Sequence, residues 1–243
     1  MSIPERQSLC ATVTKKKITV NFMRAWWERM CNKMDVLEFK KLPIMGILRD
    51  VELGAIEPLV DTIVSAGLGT IEITMNSNNA AELIRKAVNI SKQRLIVGAG
   101  TVLNLDSLKS ALDSGATFIV LPVFVKEVVE YCVKNKVPVF PGAFTPQEIY
   151  RAWSIGAAMV KVFPAKFLGP EYFKEIKGPF KDIELLACGG VTPENMAAYF
   201  LNGASAVSFG ASVFKKEWLI EKDFVSIGKY IKVYLQAFSC IQK

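Results

Sequence analysis

The chain contains no histidine in 243 residues. That removes Ser–His and Cys–His nucleophile systems and every metal site that needs imidazole. Any catalysis falls to lysine, carboxylate, tyrosine, cysteine or backbone groups. The five cysteines (Cys10, Cys31, Cys132, Cys188, Cys240) are scattered, with no C-x-x-C pair. An odd, dispersed set fits free thiols in a reducing compartment, not a disulfide scaffold. No apolar run is long enough to span a bilayer. The N-terminus lacks a signal peptide's uninterrupted apolar segment and small-residue cleavage site, so a cytoplasmic protein is expected. The formal charge is +7, yet the only tight basic run is Lys15-Lys16-Lys17. No basic stripe is interleaved with aromatics, which argues against nucleic-acid binding. The charge reads as a solvated basic surface that also helps attract anionic substrates.

What is present is a rhythm. From residue 43 onward, short apolar runs alternate with helical patterns. The runs are Pro43–Leu48, Thr70–Thr74, Leu95–Val97, Phe118–Leu121, Val137–Phe140, Ala158–Val162, Ile183–Ala187 and Ala204–Phe209. Helices are expected between them, capped by Asn104 or Asp106, by Thr145, and by Thr192 with Pro193 in the first turn. Residues from about 215 to 240 read as helical. Eight short strands, each followed by a helix, predict a parallel α/β fold, a (β/α)8 TIM barrel spanning residues 35–243 as one catalytic domain. A doubly wound open sheet is the alternative. It usually has fewer strands, and no G-x-G-x-x-G follows the first one. Residues 1–34 read as an N-terminal extension, partly disordered or helical. Trp26, Trp27, Met30 and Met34 can share one helix face there, as a cap over the barrel bottom.

One residue stands out. Lys161 lies inside the apolar run Ala158–Val162, and Pro164 follows three residues later. A buried ammonium is costly unless paired, solvated or neutral. Burial lowers a lysine's pKa, and a neutral amine attacks carbonyls. The plainer reading is that Lys161 marks the wet end of its strand. The other unusual residues collect at the C-terminal strand ends, where such barrels hold their chemistry. They are Arg49, Glu72, the stretch Gly98–Thr101, Pro122, Pro141-Gly142, Gly189-Gly190 and Gly210-Ala211-Ser212. Glycines after the last two strands let backbone N–H groups approach an anion, and a helix start adds partial positive charge. A lysine, a carboxylate, a phosphate cradle and no histidine suggest Schiff-base chemistry on a phosphorylated carbonyl compound.

Four motifs carry a resemblance: Ile71-Glu72-Ile73-Thr74, Val97-Gly98-Ala99-Gly100-Thr101-Val102, Val160-Lys161-Val162-Phe163-Pro164-Ala165 and Gly189-Gly190-Val191-Thr192-Pro193-Glu194-Asn195. Together, and in this order, they resemble the 2-keto-3-deoxy-6-phosphogluconate (KDPG) aldolase family, which includes 4-hydroxy-2-oxoglutarate aldolase activity. The likeness covers about residues 43–235. It implies a class I, Schiff-base aldehyde-lyase without metal or other cofactor, acting on a small 2-oxo acid phosphate, typically as a homotrimer. It assigns Lys161 as Schiff-base lysine and Glu72 as general acid/base. Thr101 would hold the pyruvate carboxylate, Phe163 would flank the lysine, and Pro122 would line the pocket. The phosphate would rest on Gly189, Gly190, Gly210, Ala211 and Ser212.

Three positions depart from the family pattern. Asn76 stands where members acting on phosphogluconate often carry arginine, and Met75-Asn76-Ser77 looks more like the branch acting on the galactonate epimer. Arg49 is then a candidate for the cation at the substrate's acid end. Cys188 stands where threonine is common, and Ala211 where glycine is. A phosphosugar isomerase or epimerase on the same scaffold, or an inactive binder of a phosphate metabolite, are the competing readings.

Overall fold

The computed structural model describes residues 33–242. The reading of residues 1–34, apart from its last two positions, lies outside them. A short helix, α1 (Val36–Phe39), precedes β1 (Ile44–Leu48), α2 (Ile56–Ala66), β2 (Thr70–Thr74), α3 (Ala80–Ser91) and β3 (Ile96–Gly100). Then come α4 (Leu105–Asp113), β4 (Ile119–Val120), α5 (Lys126–Lys134), β5 (Val139–Phe140), β6 (Gly142–Ala143) and α6 (Pro146–Ser154). The chain continues through β7 (Val160–Val162), a 3-10 turn (Ala165–Phe167), α7 (Gly169–Lys177), β8 (Leu185–Cys188), α8 (Met196–Leu201), β9 (Ala206–Phe209), α9 (Lys216–Ile220) and α10 (Phe224–Ile241).

All strand pairs are parallel, in the order β5-β4-β3-β2-β1-β9-β8-β7-β6. Eight strands were expected and nine segments are found. The reason is Pro141, which has no N–H to give a ladder and divides the fifth strand into β5 and β6. The two pieces are one continuous stretch of chain. β5 pairs with β4, and β6 with β7 (Gly142 opposite Lys161). Carbonyls of Val139, Pro141 and Ala143 accept from Ala158, Lys161 and Phe163. These bonds close the sheet into a barrel.

Local sequence explains most elements. The β2 run Thr-Ile-Glu-Ile-Thr is buried at every position, as a parallel strand covered on both faces must be. In α2 the buried residues Ile56, Leu59, Val60, Ile63 and Ala66 recur at helical spacing, and Gly67 at φ 95° ends the helix. Thr145 and Glu148 form a reciprocal capping box at α6, with Pro146 in its first turn. Asn104 and Ser107 do the same at α4. β3 runs on through Gly98–Gly100, which the sequence reading had placed after the strand.

Two apolar layers result. One lies between strands and helices. The other fills the lower barrel: Met45, Phe118, Val120, Phe140, Met159, Leu186 and Ala206, sealed by Met34 and Phe39. Phe140 meets Phe39 and Phe118 edge-on, at 6.2 and 5.7 Å between ring centres.

Candidate active site

Lys161 is the middle residue of β7 and Glu72 the middle residue of β2. Both point into the barrel one layer above the apolar plug. Lys161 is 6% exposed and Glu72 2%, so the lysine is not the wet end of its strand. Its Nζ stands 3.7 Å from Glu72 Oε1. Glu72 Oε2 is buried and has no hydrogen-bond partner. Space for this carboxylate comes from β3. Gly98 lies opposite Glu72 in register, and Gly100 opposite Thr74. A Cβ on Gly100 would lie 2.7 Å from the carboxyl group, and one on Gly98 would overlap the Phe118 ring.

Burial pushes the Glu72 carboxyl above its ordinary value of 4.5, and the positive charges of Lys161 and Arg49 only partly offset it. Burial pulls Lys161 down, but its interactions with Cys188 and Glu72 outweigh that, and the net direction is upward. Burial alone therefore does not yield a neutral amine; the partners hold the proton on Lys161 in the resting site. The two directions compete for one proton. The rise at Glu72 is the firmer, because one of its oxygens has nothing to replace lost water. The rise at Lys161 depends on charges that protonation removes.

The surroundings come from other strand ends. Arg49, after β1, aims Nη2 at Thr101 Oγ1, 3.5 Å away. Thr101 has φ 55°, a left-handed conformation that costs a β-branched residue on the order of 1–3 kcal/mol. Asp50, next to Arg49, is also left-handed at φ 54°, and its N–H donates to Ser77 Oγ at 2.9 Å. Ser77 in turn bonds Thr74. The Phe163 ring centre is 5.4 Å from Lys161 Nζ. Cys188 is buried at the end of β8.

A cavity of about 980 Å³ opens beside the pair. Arg49, Phe163 and Cys188 form its walls toward Lys161; Gly189, Gly190, Gly210, Ala211 and Ser212 line the rest of its strand-end face. Gly189 and Gly190 both have φ 88°, and a Cβ on Gly190 would overlap Lys166. The loop is tied from both sides. Lys166 N–H donates to the Gly189 carbonyl, and Asn195 Nδ2 to the Gly190 carbonyl, each at 2.9 Å. The helix expected from Thr192 starts later, at Met196. Thr192 and Asn195 still exchange capping bonds, but residues 193–195 form a turn before the helix.

Ser212 Oγ lies 3.0 Å from the Tyr234 hydroxyl, which donates to the Val191 carbonyl at 2.9 Å. Tyr234 has one proton, so Ser212 is the donor between the two. That leaves the backbone N–H of Ser212, not its hydroxyl proton, to meet a ligand. Five expected residues are not cavity walls: Glu72 and Lys161 are buried behind Phe163 and Cys188, Thr101 stands behind Arg49, and Asn76 and Pro122 lie apart from it. Asn76 is exposed beyond β2, and the Pro122 carbonyl packs against Gly142, where no side chain fits. The sequence reading missed Tyr234, Lys166 and Lys216. Tyr234 gave no local signal, since its partners are 22 and 43 residues away.

Lys161 and Glu72 are the one buried ion pair among the described residues, and they face the barrel interior beneath the C-terminal strand ends, the face where barrels of this kind carry their chemistry. The class is thus a (β/α)8-barrel enzyme. A family model described as KDPG and KHG aldolase matches residues 36–230, and the chain belongs to that family of aldehyde-lyases. Among its relatives is the 2-dehydro-3-deoxy-6-phosphogalactonate aldolase of Escherichia coli, 31% identical over 198 residues, covering 81% of this chain and 97% of the relative. The 2-dehydro-3-deoxy-phosphogluconate aldolase of Pseudomonas aeruginosa is 31% identical over 209 residues, covering 85% and 90%. A solved structure titled "Native KDPGal structure" superposes with a TM-score of 0.78 at 29% identity, covering 83% of this chain and 96% of the other.

Proposed function

We propose that the protein is a class I aldolase that cleaves a 2-keto-3-deoxy-6-phospho sugar acid to pyruvate and glyceraldehyde 3-phosphate. The observation that carries this reading is the buried Lys161, 3.7 Å from a carboxylate with an unpartnered oxygen. Glu72 first relieves the ammonium of a proton, which its raised pKa favours. The free amine attacks the C2 carbonyl, Glu72 gives its proton to the carbinolamine hydroxyl, water leaves, and an iminium forms on Lys161 with Glu72 a carboxylate once more. Glu72, again a base, takes the C4 hydroxyl proton through a water. The C3–C4 bond breaks, its electron pair moves into the iminium to give an enamine, and the aldehyde departs. Glu72 then returns a proton to C3, and hydrolysis frees pyruvate and the lysine.

The remaining assignments are those the family resemblance implies. Thr101, held in its strained conformation beside Arg49, receives the pyruvate carboxylate. Phe163 packs on the imine, and Arg49 meets the acid end. Backbone N–H groups of Gly189, Gly190, Gly210, Ala211 and Ser212 receive the phosphate. Asn76 and Pro122 act from the rim. The same site would cleave 4-hydroxy-2-oxoglutarate to pyruvate and glyoxylate. The catalytic domain is taken as residues 35–243, working in the cytoplasm as a homotrimer.

The test is incubation with pyruvate and sodium borohydride, followed by intact mass and peptide mapping. A reduced pyruvate adduct on Lys161 is expected, and Lys161→Ala should lose both the adduct and turnover. A folded wild-type protein that gains no mass would overturn the reading in favour of an isomerase or a binder.

A further inference from the structure

The cavity continues past the glycine cradle, and its outer walls carry two lysines that the glycines do not need. Lys166 lies in the 3-10 turn after β7, and Lys216 begins α9 after β9. Both line the cavity together with Gly189, Gly190 and Ser212. Neither has a carboxylate partner among the described residues. Lys166 is locked in place at its base. Its N–H is bonded to the Gly189 carbonyl, its Cβ fills the space above Gly190, and its Nζ rests 4.9 Å from the Phe167 ring centre. The neighbouring Lys215 also rests on aromatic rings, but on rings outside the cavity. Its Nζ sits 4.2 Å from the Trp218 ring and 5.5 Å from Tyr230, turned to the aromatics, and it does not line the cavity. That split singles out Lys216. The acidic walls, Asp50 and Glu52, belong to the β1 loop beside Arg49, while both lysines sit on the loops that carry the cradle or flank it.

We infer that Lys166 and Lys216 are specificity-determining residues that close on the phosphate of the substrate from outside the backbone cradle. They thereby commit the site to phosphorylated six-carbon substrates over 4-hydroxy-2-oxoglutarate. This rests on the aldolase reading above and deepens it. A phosphate dianion at the cradle offers three oxygens. The backbone N–H groups can meet the inner ones, and flexible ammonium groups can meet those facing the mouth. Glyoxylate is too short to leave the Lys161 end, so the lysines would contribute nothing to its binding. A cavity of about 980 Å³ would also stay largely unfilled by it.

The experiment compares cleavage of both C4 epimers of the 2-keto-3-deoxy-6-phospho sugar acid with cleavage of 4-hydroxy-2-oxoglutarate. Wild type, Lys166→Met, Lys216→Met, the double variant and Lys166→Arg are assayed, with inorganic phosphate as a competing ligand. Each methionine variant should lower the ratio of kcat/KM for phosphorylated over unphosphorylated substrate by about fivefold, mostly through KM, and the double variant by roughly 25-fold. Inorganic phosphate should inhibit the variants more weakly in proportion, and Lys166→Arg should recover most of the ratio. An unchanged ratio, an equal loss on both substrates, or undiminished inhibition by phosphate would each overturn the assignment. Should the wild type trap no pyruvate with borohydride, the aldolase reading fails on its own. Calorimetric titration with inorganic phosphate then judges the lysines separately: weaker binding in the double variant supports them, and equal or absent binding rejects them.

Discussion

The barrel interior has two halves built on the same strands. In the lower half, Met45, Phe118, Phe140, Met159, Leu186 and Ala206 pack against Met34 and Phe39, dry and without a polar group. Two residues further along the same strands stand the upper-half residues: Lys161 after Met159, Cys188 after Leu186, Ser208 after Ala206. Glu72 on β2 and the inward Gly100 of β3 complete the layer. A strand's side chains repeat with period two, so one step of that period changes the chemistry completely. The lower half follows the rules of a stable core. The upper half breaks several of them: a buried ion pair, an unpartnered carboxylate oxygen, a left-handed threonine and a missing side chain at Gly100. Each of these opposes stability and creates room or reactivity for a ligand. The lower plug provides the rigid floor that lets them persist.

Substitutions at the two levels should therefore read out differently. The largest effect belongs to the upper half. Glu72→Gln should cut kcat by roughly 10²–10⁴-fold while still trapping pyruvate under borohydride. The wild-type acid limb of kcat/KM should lie above pH 4.5, because burial raises the Glu72 pKa and the base is lost as pH falls through it; the variant should lack that limb. An unchanged rate would remove Glu72 from the chemistry. Next comes the floor. Phe39→Ala should lower stability by about 3–5 kcal/mol in urea unfolding, with kcat of the folded protein within about threefold of wild type. A large loss of kcat at unchanged stability would break the division between the halves. The smallest effect on stability, and the sharpest test, is Lys161→Met with Glu72→Leu. Replacing a buried ion pair by apolar groups should abolish activity and raise stability by about 1–4 kcal/mol. Glu72 holds its proton more readily folded than unfolded, so its contribution favours the fold below pH 4.5 and is lost as pH rises through the folded pKa. The gain in the double variant should accordingly grow with pH over that window. A variant less stable than wild type would mean that the pair supports the fold.

Much of this was legible along the chain. The alternation of apolar runs with capped helices located every strand but β6, and Thr145 and Asn104 sit at the caps their types suggested. Lys161 stood out because a charge inside an apolar run is rare for a physical reason. The division of the fifth strand at Pro141 was missed because Pro141 looked like a strand end, and only pairing with both neighbours keeps Gly142 in the sheet. The glycines of β3 looked like a turn, because their need for space comes from Glu72 and Phe118 on the neighbouring strands.

The sequence by itself determined the order and period of the elements, the barrel class, and which residue types reach the strand ends. Those properties depend on local spacing and on burial averaged over a few residues. The fold alone decided that Lys161 meets Glu72 from 89 positions away. It also decided that Glu72 faces the lysine and opposes the effect of burial on it, and that Tyr234 claims the Ser212 hydroxyl. It turned Lys215 to aromatic rings and Lys216 to the cavity. These are electrostatic and steric relations between groups far apart in the chain. Their strength depends on distance and on exclusion of water, which exist only once the barrel has closed.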